Sequence, residues 1–270
     1  MYEKFHPLVN KLPIYKSPGT PHNGIRRPTA EDPEMSKDEH KTYRSGVGML
    51  LYLVKHSRPD IANSTRELSK VMDKPTPAAM KELMRVIKYV LDTKDYGLKL
   101  NPKALNSDGF FEVVLFSDSD WAGDKETRQS VTGYCIFLQG CPISWKSKGQ
   151  TSVTLSSSEA ELMALSDATR EIRFVYELLK SMDVKIKLPI VCRVDNIGAI
   201  FMAENVTATP KSKHIDTRAK FVTQFIADGF LKVIFVKTSE NNSDIFTKNV
   251  STEIHNKFKA EYIWTNKDMD

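Results

Sequence analysis

The spacing of apolar residues changes period partway along the chain. From Tyr43 to about His56, Val47, Leu50, Leu51 and Val54 follow the i, i+3, i+4, i+7 stripe of an amphipathic helix. Arg58-Pro59-Asp60 interrupts it: Pro59 restricts Arg58 away from helix, and Asp60 is suited to cap the next helix. That second helix runs to about Met72 with Ile61, Leu68 and Val71 apolar. After another proline-rich break, Thr76 caps a third helix with Pro77 at its first position, striped by Met80, Leu83, Met84, Ile87, Val90 and Leu91. Tyr96–Leu100 reads as a short strand, and the loop around Asn101–Gly109 as a domain boundary.

Beyond that loop short apolar runs take over. Val113–Ser117, Gly133–Leu138 and Ile143–Ser147 are strands joined by short connections, which predicts an antiparallel meander. A long helix from about Ser157 to Met182 follows, with Leu162, Leu165, Ala168, Ile172, Val175, Leu178 and Leu179 apolar. Then come a strand at Ile190–Val194, a helix near Ile197–Glu204, a helix over about Ile215–Asp228 stopped by Gly229, a strand at Leu231–Val236, and a final helix from near Ser243. This order predicts an α/β domain with a mixed sheet. Residues 7–39 carry six prolines and little periodicity, so this stretch is expected to be extended or disordered. The expected organisation is an extended segment over 1–42, a helical segment over 43–105 and an α/β domain over 106–270.

Composition narrows the function class. Of 270 residues, 40% are hydrophobic and 27% charged, as in ordinary soluble globular proteins. No run of eighteen apolar residues predicts a membrane span, and the N-terminus lacks the apolar core of a signal peptide. Cys135, Cys141 and Cys192 form no metal-ligand spacing and read as small core residues in a reducing compartment, so an intracellular location, cytoplasmic or nuclear, is expected. The net charge of +5 is unevenly spread: residues 1–105 hold 19 Lys and Arg against 12 Asp and Glu. A basic half suits contact with a phosphate backbone, although lysine-rich helical surfaces are also common.

Four acids stand out by position. Asp118 ends the first strand of the α/β part, Glu159 opens the long helix, Asp195 ends the fourth strand and Asp244 opens the last helix. If the first and fourth strands are parallel neighbours, Asp118 and Asp195 meet at one sheet edge, the end where open α/β sheets bind ligands. Clustered carboxylates repel one another unless a cation joins them. Magnesium prefers such oxygen ligands, and two ions can activate water and stabilise a leaving oxygen. Each acid also has a local reading. Ser156 with Glu159, or Ser158 with Glu161, makes a capping box. Asp244 suits a helix start, and Asp195-Asn196 suits a turn.

Ser117-Asp118-Ser119-Asp120-Trp121-Ala122-Gly123, followed by Arg128–Tyr134, closely resembles the ribonuclease H domain of copia-type retrotransposon Pol polyproteins. The resemblance continues collinearly through Ser144–Lys148, Ser156–Glu161, Val194–Asn196, Lys211–Asp216 and Asp244–Lys248. It implies the ribonuclease H fold, a mixed five-stranded sheet with flanking helices. It also implies a catalytic and metal-binding set of Asp118, Glu159, Asp195 and Asp244, holding two Mg2+ ions with Mn2+ as substitute. The implied activity is endonucleolytic cleavage of the RNA strand of RNA–DNA hybrids, with the remainder of a Pol polyprotein as a further partner and no membrane. Lys146, Lys148, Lys211, Lys213 and His214 are candidate nucleic-acid contacts, with solvated surface positions as the plain alternative. Trp121 and Trp145 are candidates for stacking on bases or sugars, or for the core.

Tyr43–Gly48, Ser57–Ala62 and Thr93–Leu98 resemble the end of the same family's reverse transcriptase. No Tyr-x-Asp-Asp occurs in the chain, so polymerase activity is not expected of it. Two other readings remain: an inactive polyprotein remnant acting as a nucleic-acid-binding or structural fragment, and a phosphotransferase using the Asp118-x-Asp120 pair, which leaves Asp244 without a role.

Overall fold

Helices α1 (Tyr2–Val9), α2 (Lys37–His56), α3 (Ala62–Ser69) and α4 (Pro77–Asp92) start the chain in the computed structural model, which describes residues 1–105, 108–205 and 213–265. Ser36 and Glu39 close a reciprocal capping box on α2, so that helix begins at Lys37, ahead of the expected start at Tyr43. Thr76 caps α4 through the Ala79 N–H, with Pro77 at the first position as expected. Asp60 does not cap α3. Its buried carboxylate instead accepts two hydrogen bonds from the Arg58 guanidinium, at 2.9 and 2.8 Å, and one from the Tyr89 hydroxyl at 3.0 Å.

The N-terminal segment departs from the extended form expected over 1–42. Residues Tyr2–Val9 are helical with Pro7 inside the helix. Proline removes one backbone donor, but Phe5 and Val9, four residues apart, are buried, and α1 packs on α4. Burying that pair outweighs the proline. Residues 10–36 do lack helix and strand, yet they are strapped down. Thr20 Oγ1 donates to Glu82 Oε1 at 2.9 Å, and Arg85 Nε donates to the Pro18 carbonyl at 3.2 Å.

After the short strand β1 (Gly97–Leu98) come β2 (Val113–Asp120), β3 (Val131–Leu138), β4 (Cys141–Gly149), α5 (Ser157–Ser181), β5 (Ile190–Val194), α6 (Ile197–Glu204), α7 (Lys213–Ala227) and β6 (Leu231–Phe235). The sheet order is β4-β3-β2-β5-β6. Strands β2, β3 and β4 form the antiparallel meander, while β5 is parallel to both β2 and β6. This is the mixed five-stranded sheet with flanking helices of the ribonuclease H fold. Helix α5 lies over β2 and β3 and packs on α6 and α7. Leu115, Ile136, Leu165, Ala168, Ile172, Cys192 and Val194 form the core between them. The three cysteines are buried, and no disulfide joins them among the described residues.

The expected helix at Ser243 is a single 3-10 turn, Asp244–Phe246, whose three residues are all buried, so it has no solvent face along which to extend. The last helix, α8 (Thr252–Tyr262), starts later at a Ser251 cap and leads into β7 (Ile263–Trp264), which pairs with β1. Leu100–Thr247 forms one unit. The other consists of Met1–Lys99 together with Lys248–Asp270, so the C-terminal residues do not group with the α/β domain as the expected 106–270 boundary had them. Among the described residues, no helix is long and apolar enough to cross a membrane.

Candidate active site

The β2–β5 ladder pairs Ser117 with Val194 as its last rung. The next residues are Asp118 and Asp195, so parallel pairing delivers two carboxylates to the same edge. The third comes from α5. Glu161, Leu165, Ala168 and Ile172 are spaced by four, three and four residues and are all buried. They form the stripe that α5 presses onto the sheet, and Glu161 is its carboxylate at the acid-bearing edge. Ligand atoms of Asp118, Glu161 and Asp195 all lie within 4.8 Å of one another.

Each carboxylate is held from a different segment. The Ser119 N–H and hydroxyl donate to Glu161 Oε1 at 2.9 and 3.0 Å. Thr247 Oγ1 donates to Asp118 Oδ2 at 2.5 Å. The Asn241 amide donates to Asp195 Oδ1 at 3.3 Å. Glu161 Oε2 is buried and has no hydrogen-bond partner among the described residues. Burial, followed by the charges of Asp118 and Asp195, pushes the Glu161 carboxyl well above its ordinary range despite the Ser119 donors.

Two glycines let the segments approach. A Cβ on Gly198 would sit 2.4 Å from Ser158 Oγ, at the contact where the Ser158 hydroxyl donates to Asn196 Oδ1 and ties the start of α5 to the turn after Asp195. A Cβ on Gly133, which pairs with Asp118, would lie 2.7 Å from Thr247 Cγ2 and 3.0 Å from the Ser243 carbonyl. Its absence lets the turn around Asp244 lie against β3.

The structure replaces one expected residue. Glu159 does not join the group: its carboxylate turns back to accept the Leu155 N–H at 2.9 Å, while its own N–H is capped by Ser156 Oγ. It therefore serves the helix start, and Glu161, two positions on, faces the two aspartates. The signal that distinguishes them is helical phase, because only Glu161 lies on the Leu165–Ala168–Ile172 stripe. Asp244 is buried on its 3-10 turn but lies outside the group of three. Thr247 links the two, its hydroxyl lying 3.0 Å from the Asp244 carbonyl.

Lys146 and Lys148 are exposed on the edge strand β4, in register with Tyr134 and Thr132. Lys213 and His214 are exposed at the start of α7, and Lys211 lies outside the described residues. Trp121 is 46% exposed, with its indole N–H donating to the Thr154 carbonyl, and Trp145 is half-buried.

No protein-family model matches the chain. It is 31% identical over 243 residues to the retrovirus-related Pol polyprotein from transposon RE1 of Arabidopsis thaliana, covering 88% of this chain but only 16% of that protein. It is 43% identical over 129 residues to secreted RxLR effector protein 161 of Plasmopara viticola, covering 48% of this chain and 87% of the effector. Among solved structures, LC11-RNase H1, isolated from compost, is 13% identical with a TM-score of 0.38, covering 54% of this chain and 96% of that one.

Proposed function

The chain belongs to the Pol polyproteins of copia-type retrotransposons, and we propose that its α/β unit is a divalent-metal-dependent endonuclease that cuts the RNA strand of RNA–DNA hybrids. The observation that carries this reading is the meeting of Asp118, Glu161 and Asp195 within 4.8 Å, from β2, the residue after β5, and α5. Three acids so close repel one another. Glu161 Oε2 is also a buried oxygen without a hydrogen-bond partner among the described residues. An all-oxygen, strongly acidic donor set of this kind fits a hard divalent cation, Mg2+ with Mn2+ as substitute.

Asp118, Glu161 and Asp195 would hold the metal, with Asp244 on the adjoining turn as the further acid that the family resemblance implies. When bound, the metal would supply an acidified water and charge stabilisation at the leaving oxygen of the phosphodiester, most effectively as a pair of ions. The protein's own part is to fix the acids. Ser119 orients Glu161, Thr247 orients Asp118 and Asn241 orients Asp195. Lys146, Lys148, Lys213 and His214 are proposed phosphate contacts, and Lys211 is proposed with them on the resemblance alone. A hybrid would be recognised through groove shape and the 2′-hydroxyl rather than by base sequence. The remainder of a Pol polyprotein is the proposed partner.

The test is cleavage of an end-labelled RNA–DNA hybrid by the purified chain, in Mg2+, in Mn2+ and in EDTA. RNA cleavage that needs the metal and disappears in Asp118→Asn supports the reading. A folded wild-type chain that cuts nothing favours the inactive remnant. Cleavage unchanged in Asp118→Asn overturns the site.

A further inference from the structure

Asn241 lies in the loop that leaves β6 and crosses the ends of β5 and β2. It is fully buried and follows the 3-10 turn Thr238–Glu240, whose Thr238 carbonyl takes its N–H at 3.1 Å. Both donors and the acceptor of its side chain are used. The Nδ2 group donates to the Ser117 carbonyl at 3.0 Å and to Asp195 Oδ1 at 3.3 Å. Its Oδ1 accepts from the Ser243 N–H at 3.2 Å and from the Ser243 hydroxyl at 2.6 Å. This network also settles which way the amide faces. The reverse orientation would set an oxygen against a carbonyl and a carboxylate, and N–H donors against the Ser243 N–H.

The placement of these bonds matters. The parallel ladder between β2 and β5 ends at Ser117 and Val194. Beyond that rung, among the described residues, no ladder pairing joins the two strands where Asp118 and Asp195 stand. The Asn241 amide spans that gap, with one N–H on the residue before Asp118 and the other on Asp195 itself. A short uncharged amide suits the position: it supplies two donors from one atom and adds no fourth negative charge.

We infer that Asn241 is the positioning residue that sets the separation and orientation of the Asp118 and Asp195 carboxylates, and thereby the affinity of the site for a divalent cation. This rests on the metal-dependent reading of the site. Partners that orient metal ligands are worth about 10–100-fold in metal affinity. Asn241→Ala should weaken Mn2+ binding by that factor, and Ser243→Ala, which removes one anchor of the amide, should weaken it less.

Mn2+ binding to the full chain is followed by electron paramagnetic resonance of the free ion, beside thermal melts in EDTA. Steady-state hybrid cleavage is measured across a range of Mg2+. For Asn241→Ala, a raised Mn2+ dissociation constant with hybrid KM unchanged is expected, together with a kcat that recovers at high Mg2+. An Asn241→Ala chain that melts cooperatively and binds Mn2+ with wild-type affinity overturns the inference. If that variant does not fold, Ser243→Ala decides, and wild-type affinity there has the same consequence. Failure of the underlying metal reading looks different: the wild-type chain itself would bind no Mn2+, or would bind it equally well as Asp195→Asn.

Discussion

Glu161 and Ser119 are joined twice, by the Ser119 N–H at 2.9 Å and its hydroxyl at 3.0 Å, and this pair brings the first turns of α5 onto the end of β2. The Glu159 carboxylate on the same helix accepts from the Leu155 N–H instead. The two glutamates therefore predict different phenotypes. Glu161→Gln should lower hybrid cleavage by more than the roughly 10–100-fold typical of residues behind a metal ligand. Glu159→Gln should retain cleavage and lose about 0.3–1 kcal/mol of stability, the worth of a charge at a helix N-terminus. Single-turnover cleavage and denaturant melts of both variants check this, and the opposite ranking would restore Glu159 to the site.

Stability of the metal-free protein should fall as pH rises, because of Glu161. A carboxyl with a folded pKa above its unfolded value of about 4.3 contributes stability that is complete below the unfolded pKa and lost as pH rises through the folded one. Glu161 is raised by burial and by Asp118 and Asp195. In EDTA at pH 7, Glu161→Gln should melt higher than wild type, and near pH 4 the two should converge. Saturating Mg2+ should raise the wild-type melting temperature above its EDTA value while moving the variant less. Scanning calorimetry at several pH values reads all three outcomes.

The helical unit carries a second pH dependence of opposite sign. His255 is buried, its Nε2–H donates to the Asp60 carbonyl at 3.0 Å, and its Nδ1 has no hydrogen-bond partner among the described residues. Burial lowers its pKa first, with help from Lys259 and Arg58 and against the Asp60 carbonyl and charge. A lowered histidine pKa means the unfolded chain binds the proton more readily. Stability should therefore be complete above about pH 6.5 and decline as pH falls toward the folded value. Asp60 contributes at lower pH: burial raises its pKa, but the Arg58 charge and hydrogen bonds outweigh that and hold it low, so its share is lost only below about pH 3.9. Protection of the α8 amides, corrected for the intrinsic exchange rate at each pH, should fall between pH 7 and pH 5 in wild type and much less in His255→Gln. An equal loss of protection in both would remove His255 from the account.

A fragment cut at 106–270 should behave poorly. Phe258, Tyr262 and Ile263 are buried, and β7 pairs with β1 of the N-terminal segment. Removing residues 1–105 exposes those side chains, and exposed apolar patches promote association. Size-exclusion chromatography should show the fragment aggregating where the full chain does not. A monodisperse, cooperatively melting fragment would contradict the grouping of Lys248–Asp270 with the N-terminal helices.

Much of the site is legible in the sequence. Asp118 and Asp195 each end an apolar strand, and short apolar runs are a local signal. Glu161 is visible there only as one member of two overlapping capping boxes, because Ser156 and Ser158 each stand three residues before a glutamate. Choosing between them needs the rotation of α5 about its axis, which the buried stripe through Leu165, Ala168 and Ile172 sets. Asn241 gives no signal of a role, and Thr247 shows only as part of the Asp244–Lys248 match, since loop residues have no periodicity and their bonds reach Ser117 and Asp118, more than 120 residues away in the chain.

The sequence by itself determined the period of the helices and strands from α2 to β6, the cap of α4, the strands that carry acids and the family resemblance. These depend on interactions within a few residues and on collinear motifs. The tertiary structure alone decided that Phe5 and Val9 make a helix of a proline-bearing segment, that Asp60 pairs with Arg58 instead of capping, and that Lys248–Asp270 joins the N-terminal helices. It also decided that Glu161, rather than Glu159, completes the acidic group. The physical reason is common to all four: a side chain's local options are nearly equal in energy, and burial against a distant segment, worth more than a cap or a single backbone hydrogen bond, selects among them.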